Sequence, residues 1–306
     1  MEFFYIFINI IVPVFILIGI GAWLHRVFML DLYTLAKVNV YFLIPGFVFT
    51  YLYKTEFSLQ LFSQVLLFFL ILIVVLYFVV QLISKMFHFN KGVRVVFTNS
   101  VLLFNAGNYG VPVNDLVFKH DPFALSIQVI VMTLQNILAY SFGIFSFKAV
   151  EEGRLNALMG LFKMPVIYAM AIGILLNLLN VDLPGFITTS GEYIANAMIG
   201  IALVTLGAQV AQLKFKRGIS SLYISLFVRL LLGPILALSI IYLFGFKGVL
   251  AQALFIASGM PSAVNSTIIA QEYKTEVDLA AQIVLLSTIL SMVSVTAVIY
   301  FSKVLF

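Results

Sequence analysis

Run after run of this chain carries twenty or more residues with almost no charge, and that spacing restricts the fold more than any other feature. A bilayer core of about 30 Å is crossed by about 20 apolar residues at about 1.5 Å of helical rise each. Polar clusters divide the sequence into ten such runs: Phe3 to Arg26, Leu32 to Tyr53, Leu61 to Phe87, Gly92 to Lys119, Phe123 to Phe147, Ala157 to Leu179, Phe186 to Leu213, Gly218 to Phe244, Lys247 to Tyr273 and Val277 to Lys303. Only 9% of the 306 residues are charged, which leaves no material for an extramembrane domain. The fold class expected is an all-α membrane protein of ten transmembrane helices. The first run is too long for a signal-peptide core, and its positive flank, His25 and Arg26, follows it, so it reads as a retained helix. The absence of cysteine excludes a disulfide framework and a thiolate metal site.

Lysine and arginine orient such a chain, because cationic loops resist translocation. Counted by side, twelve fall on one face, among them Arg26, Lys37, Lys85, Lys91, Arg94, Lys148 and Lys274. Four fall on the other (Lys54, Lys119, Lys247 and Lys303), and Arg229 lies inside a span. Both termini are therefore expected on the extracytoplasmic side of the cell's inner (plasma) membrane. The net charge of +5 is read as this topology signal and not as a nucleic-acid surface.

The two halves resemble each other. Val12 to Gly21 and Met164 to Gly173 each place a glycine eight residues after a proline, at an offset of 152, and Gly110-Val111-Pro112 matches Gly259-Met260-Pro261 at an offset of 149. Residues 1–150 are read as one five-helix repeat and 151–306 as a second. Five is odd, so the second copy enters the membrane from the opposite face, and the repeat is inverted.

The matched Gly-Pro positions interrupt runs four and nine, in the stretches NAGNYGVPVND (Asn105 to Asp115) and ASGMPSAVNST (Ala257 to Thr267). The helices are expected to break across Gly107 to Pro112 and across Gly259 to Asn265. Lipid offers no partners to backbone N–H and C=O groups, so unwound chain at membrane depth survives where it lines a protein-enclosed cavity. Paired broken helices at matching repeat positions point to the binding site of a secondary transporter. Half-helix N-termini suit an anion, whereas freed carbonyls suit a cation. Two proline kinks that only aid packing are the plainer reading. Against it stand Asn105, Asn108, Tyr109, Asn114 and Asp115 in one break and Ser258, Ser262, Asn265, Ser266 and Thr267 in the other, more hydrogen-bonding groups than packing requires.

The pattern N-x-G-N-x-G-x-P from Asn105 to Pro112, the Gly259-Met260-Pro261 with Asn265 after it, and Ala270-Gln271-Glu272-Tyr273 resemble the auxin efflux carrier family, within a wider bile acid/sodium symporter superfamily. The resemblance spans nearly the whole chain. It implies an elevator-type mechanism, with runs one, two, six and seven as a scaffold and three to five and eight to ten as a transport domain whose crossed helices hold an organic anion. Asn105, Pro112 and Pro261 take the family's crossover positions. The link between halves, Lys148 to Asn156, is short, which favours the bacterial-type branch and carboxylates such as malate or malonate over auxin. A homodimer through the scaffold helices is compatible with this layout. No cofactor is expected, and coupling to Na⁺ or H⁺ is left open.

Two charges lie inside the runs. Arg229 sits about 16 Å into run eight, where an arginine needs a cavity or a partner. It either contacts a substrate carboxylate with its bidentate fork or ties helix carbonyls or an acid together. Asp115 neutralises the dipole of the resumed helix, pairs with Arg229, takes a proton or helps hold Na⁺. The substrate-binding candidates are thus Asn105, Asn108, Tyr109, Ser258, Asn265 and Arg229, with Gly107, Gly110, Pro112, Gly259 and Pro261 shaping the breaks. Alternatives are a sodium-coupled symporter of the bile acid type and an anion channel. An enzyme is disfavoured because His25, His88 and His120 sit at run ends, without a second buried acid to pair with Asp115.

Overall fold

The computed structural model describes residues 1–54, 58–148, 165–213 and 220–306. Every named element among them is a helix, and strand pairing is limited to one isolated antiparallel bridge, Phe104 to Ser262. Among the described residues, seven helices are long and apolar enough to cross a membrane: α1 (Glu2–Phe28), α2 (Leu32–Lys54), α3 (Leu59–Met86), α6 (Pro122–Phe147), α8 (Gly185–Ala211), α9 (Ser221–Phe244) and α12 (Val277–Leu305). Between them lie shorter pieces: α4 (Lys91–Leu102), α5 (Gly110–Val117), α7 (Pro165–Leu178), α10 (Gly248–Ser258) and α11 (Val264–Glu272). Residues 157–164 of the sixth expected run, and 149–156 of the link, lie outside the described residues.

Helix starts follow from local chemistry. Asp31, Ser58, Asn90 and Asp121 each accept a backbone N–H of the first turn, from Tyr33, Leu61, Val93 and Phe123, and so satisfy one of the donors a helix start leaves unpaired. Proline inside a membrane helix would clash with the carbonyl four residues back. Three spans relieve this by widening to a π turn just before the ring: Phe7–Ile11 precedes Pro13, Asn39–Leu43 precedes Pro45, and Val228–Leu232 precedes Pro234.

The helices are tied in two groups. In the first, α1 crosses α8 where Gly21 lies on the Val204 carbonyl and Gly207 on the Ile18 carbonyl, so that the two backbones touch. Gly173 of α7 packs on the Phe49 carbonyl of α2, Asn39 donates to Thr205, and Asn177 donates to the Tyr53 carbonyl. In the second group, α3, α4, α5, α6, α9, α10, α11 and α12 are joined through Gln81–Thr98, Asn99–Ser146, Tyr109–Ser291 and the contacts of the two breaks. None of these polar links runs from one group to the other. Contacts across the divide include aromatic edges, Phe15 on Tyr109 at 6.2 Å and Phe3 on Tyr300 at 6.3 Å.

Candidate functional site

The breaks lie slightly away from where the sequence placed them. The fourth run leaves the helix after Leu102, not Ala106, and resumes at Gly110, so Pro112 falls in the first turn of α5 instead of in the break. A proline there loses nothing, because first-turn amides lack helical partners in any case. The ninth run breaks from Gly259 to Ala263, and Asn265 belongs to the first turn of α11.

The two breaks cross and pair with each other. Asn105 N donates to the Pro261 carbonyl and Ala263 N to the Leu103 carbonyl, both at 2.8 Å. Every carbonyl freed where α4 ends finds a donor from another element or from the loop itself. Ser262 Oγ serves Ser100 at 2.7 Å, Arg229 serves Val101 at 3.0 Å, Gln135 serves Leu102 at 3.1 Å, and Gln128 serves Ala106 at 2.7 Å. The Phe104 and Asn105 carbonyls accept from Ala106 N and Gly110 N within the break. On the other chain segment, Ser262 N turns to Ser287 Oγ, and the Ser258 carbonyl it would have met takes the second arm of Arg229. The backbone carbonyls that the end of α4 frees are therefore paired at the crossing, as burial in oil requires.

Arg229 is 0% exposed and sits in the π turn of α9. Its guanidinium spans the C-terminal ends of α4 and α10 and lies 4.9 Å from the Phe104 ring centroid. Two helix C-termini, each carrying about half a negative charge, match one cation, and among the described residues no carboxylate pairs with it.

Beside the crossing lies a cavity of about 240 Å³. Its wall brings together Asn105, Gly107 and Asn108 from the first break, Ala263, Val264 and Asn265 from the second, Gln135 and Asn136 from α6, Asn39 from α2, and Thr205 and Gln209 from α8. Thus Asn105, Asn108 and Asn265 converge there. Tyr109, Ser258 and Arg229 stand outside its lining: Tyr109 is fully buried and shares a 2.9 Å hydrogen bond with Ser291, and Ser258 Oγ donates to the Phe255 carbonyl. Gly107 leaves room for Met132, and Gly110 for the Gln128 amide, so larger residues would push these side chains out of place. Pro261 contributes its carbonyl, and Gly259 lies against Val298. Asp115 pairs with His120, Oδ1 to Nδ1 at 2.8 Å, and not with Arg229.

Among the described residues the lining holds no Asp, Glu, Lys or Arg, and its side-chain polarity comes from the Thr205 hydroxyl and from carboxamides, which offer both N–H donors and carbonyl acceptors. Among the described residues the Asn105 Nδ2 donor has no hydrogen-bond partner. Sequence reasoning missed the amides on α2, α6 and α8. Gln128 and Gln135 stand seven residues apart, two helical turns, on one face of an apolar run, and that spacing was the available signal.

A family model described as membrane transport protein matches residues 6–299, nearly the whole chain. The chain belongs to that family, the auxin efflux carriers. It is 24% identical over 272 residues to an uncharacterized transporter of Methanothermobacter thermautotrophicus, covering 86% of this chain and 87% of the relative. It is 26% identical over 110 residues to an uncharacterized transporter of Methanocaldococcus jannaschii, covering 36% of each.

Proposed function

We propose that this member of the membrane transport protein family is a secondary transporter of small organic anions, mono- or dicarboxylates of the malate or malonate kind. The observation that carries the reading is the crossing of two broken helices beside a cavity walled by Asn105, Asn108 and Asn265. A carboxylate there would meet neutral amide donors and the positive end of α11, whose first residues, Val264 and Asn265, form part of the wall. Neutral donors let an anion bind without an ion pair that would hinder its release.

Alternating access is the natural motion of such a molecule. The scaffold would be α1, α2, α7 and α8, and the transport domain the remaining helices with the crossing inside it. Hydrogen bonds within each group and aromatic contacts between them support a sliding, elevator-type movement. The reciprocal packing of Gly21 on α8 and Gly173 on α2 supports an inverted repeat, as does the pairing of one break with the other. Both termini would face the extracytoplasmic side of the plasma membrane.

The test is a stability screen of purified protein against a panel of mono- and dicarboxylates, with and without Na⁺ and at two pH values. A ligand that binds only the folded state raises the melting temperature with its concentration. Saturable uptake and counter-exchange of the stabilising compound in proteoliposomes would separate a carrier from a channel. Stabilisation by no carboxylate would refute the reading.

A further inference from the structure

Asp115 lies on the last turns of α5, with its side chain 4% exposed, while the imidazole that meets it, His120, is 74% exposed. The backbone makes the meeting possible: Lys119 and His120 both adopt left-handed conformations, φ 53° and 65°, and His120 N donates to the Asp115 carbonyl at 3.0 Å. Consecutive non-glycine residues in that region are uncommon. The turn thus folds a solvent-facing histidine back onto a buried acid.

Among the described residues, His120 is the group that forms an ion pair with this carboxylate. The half-helix α5 packs against Pro122–Leu138 of α6, α10 and the π turn Phe7–Ile11, which carry no ionisable side chains, and against α8, which carries Glu192 and Tyr193. Glu192 pairs with Lys54. Tyr109 at the head of α5 is bonded to Ser291, and Asp121 in the loop accepts from Phe123 N. Lys119 is the remaining cation on that loop. From α2, Tyr51 lies near enough to feel the Asp115 charge.

We propose that Asp115 and His120 form a proton-binding site that couples the carrier to a proton gradient; this rests on the transporter reading above. With neutral imidazole and ionised carboxyl the pair carries one negative charge on a helix continuous with the crossing. One proton brings the pair to zero net charge, whichever of the two side chains holds it. An unneutralised charge resists movement through an apolar interface, and the neutral pair removes that resistance. The site is at the far end of α2 from the cavity. The cavity's lining on α2 runs from Ala36 to Ile44, and Tyr51 stands seven residues beyond Ile44, about 10 Å along the helix. Protons would therefore load from the side opposite the cavity's α2 lining.

The chain has no cysteine, so Ala36→Cys introduces a single thiol on the cavity wall. Its reaction with a membrane-impermeant maleimide is compared in the otherwise native protein, Asp115→Asn and His120→Gln, at matched pH so that thiol ionisation cancels. From about pH 8 to about pH 6 labelling of the native protein should slow by about threefold as protonation frees the cavity to close, whereas Asp115→Asn, with no charge to neutralise, should label at the slow rate at both and His120→Gln should respond less. Equal rates in all three proteins overturn the proposal. Protection of the introduced thiol by malonate separates the two readings. Protection together with a pH response that survives in both variants sinks the proton site alone; labelling that neither malonate nor pH changes sinks the carrier reading with it.

Discussion

Replacing Arg229 with methionine, close to it in length and apolar, removes the donor to the Val101 and Ser258 carbonyls while keeping the space filled. Both carbonyls are free because their helical partners are committed elsewhere, Asn105 N to Pro261 and Ser262 N to Ser287. A buried acceptor left unsatisfied costs about 1–3 kcal/mol, so two cost about 2–6 kcal/mol. Removing a buried charge returns part of that desolvation, which leaves a net loss of about 2–4 kcal/mol. Arg229→Lys keeps the charge but not the fork, and should recover about half of the loss. Unfolding in mixed micelles titrated with sodium dodecyl sulfate measures the difference. Two results refute the reasoning. One is Arg229→Met unfolding within about 0.5 kcal/mol of the native protein. The other is native stability with carboxylate binding lost, which would make Arg229 a ligand and not a clamp.

Gly207→Val puts methyls onto the Ile18 carbonyl and the Ala22 amide, backbone atoms that cannot rotate away; a loss of about 3 kcal/mol should appear as reduced folded yield and an earlier unfolding midpoint. Gln128→Leu strands the Ala106 carbonyl and should cost about 1–3 kcal/mol by the same micelle titration. Lys54→Met breaks the ion pair with Glu192, whose two partners are substantially exposed, so the change should stay below about 1 kcal/mol.

Much of this architecture is written in hydropathy and punctuation. Runs of about twenty apolar residues give the spans, and Asp31, Asn90 and Asp121 mark helix starts because their side chains cap them. The breaks are visible as Gly-Pro clusters, but their edges are tertiary: α4 stops at Leu102 because Leu103 pairs with Ala263, a partner 160 residues away. The π turns are half legible, since proline explains three of them while Ala139–Gly143 has no such cause in its own sequence. The site divides likewise. Asn105, Asn108 and Asn265 stand out because polar residues crowd the breaks, whereas Asn39, Thr205 and Gln209 are isolated on apolar helices until packing brings them to one wall. Arg229 announced a need for partners without saying which, because backbone carbonyls leave no mark in a sequence.

A carboxylate held in the amide-lined cavity at the crossing and carried across the membrane should exchange with its own kind on the far side. Counter-exchange of radiolabelled malonate and related carboxylates is measured with native protein and with Asn265→Ala reconstituted in proteoliposomes. Asn265 is half-buried on the cavity wall, and its removal should leave insertion and melting intact. Saturable exchange that falls about tenfold or more in the variant, the loss of one charge-assisted hydrogen bond, is the predicted result. Undiminished exchange in Asn265→Ala and in Asn105→Ala would contradict it.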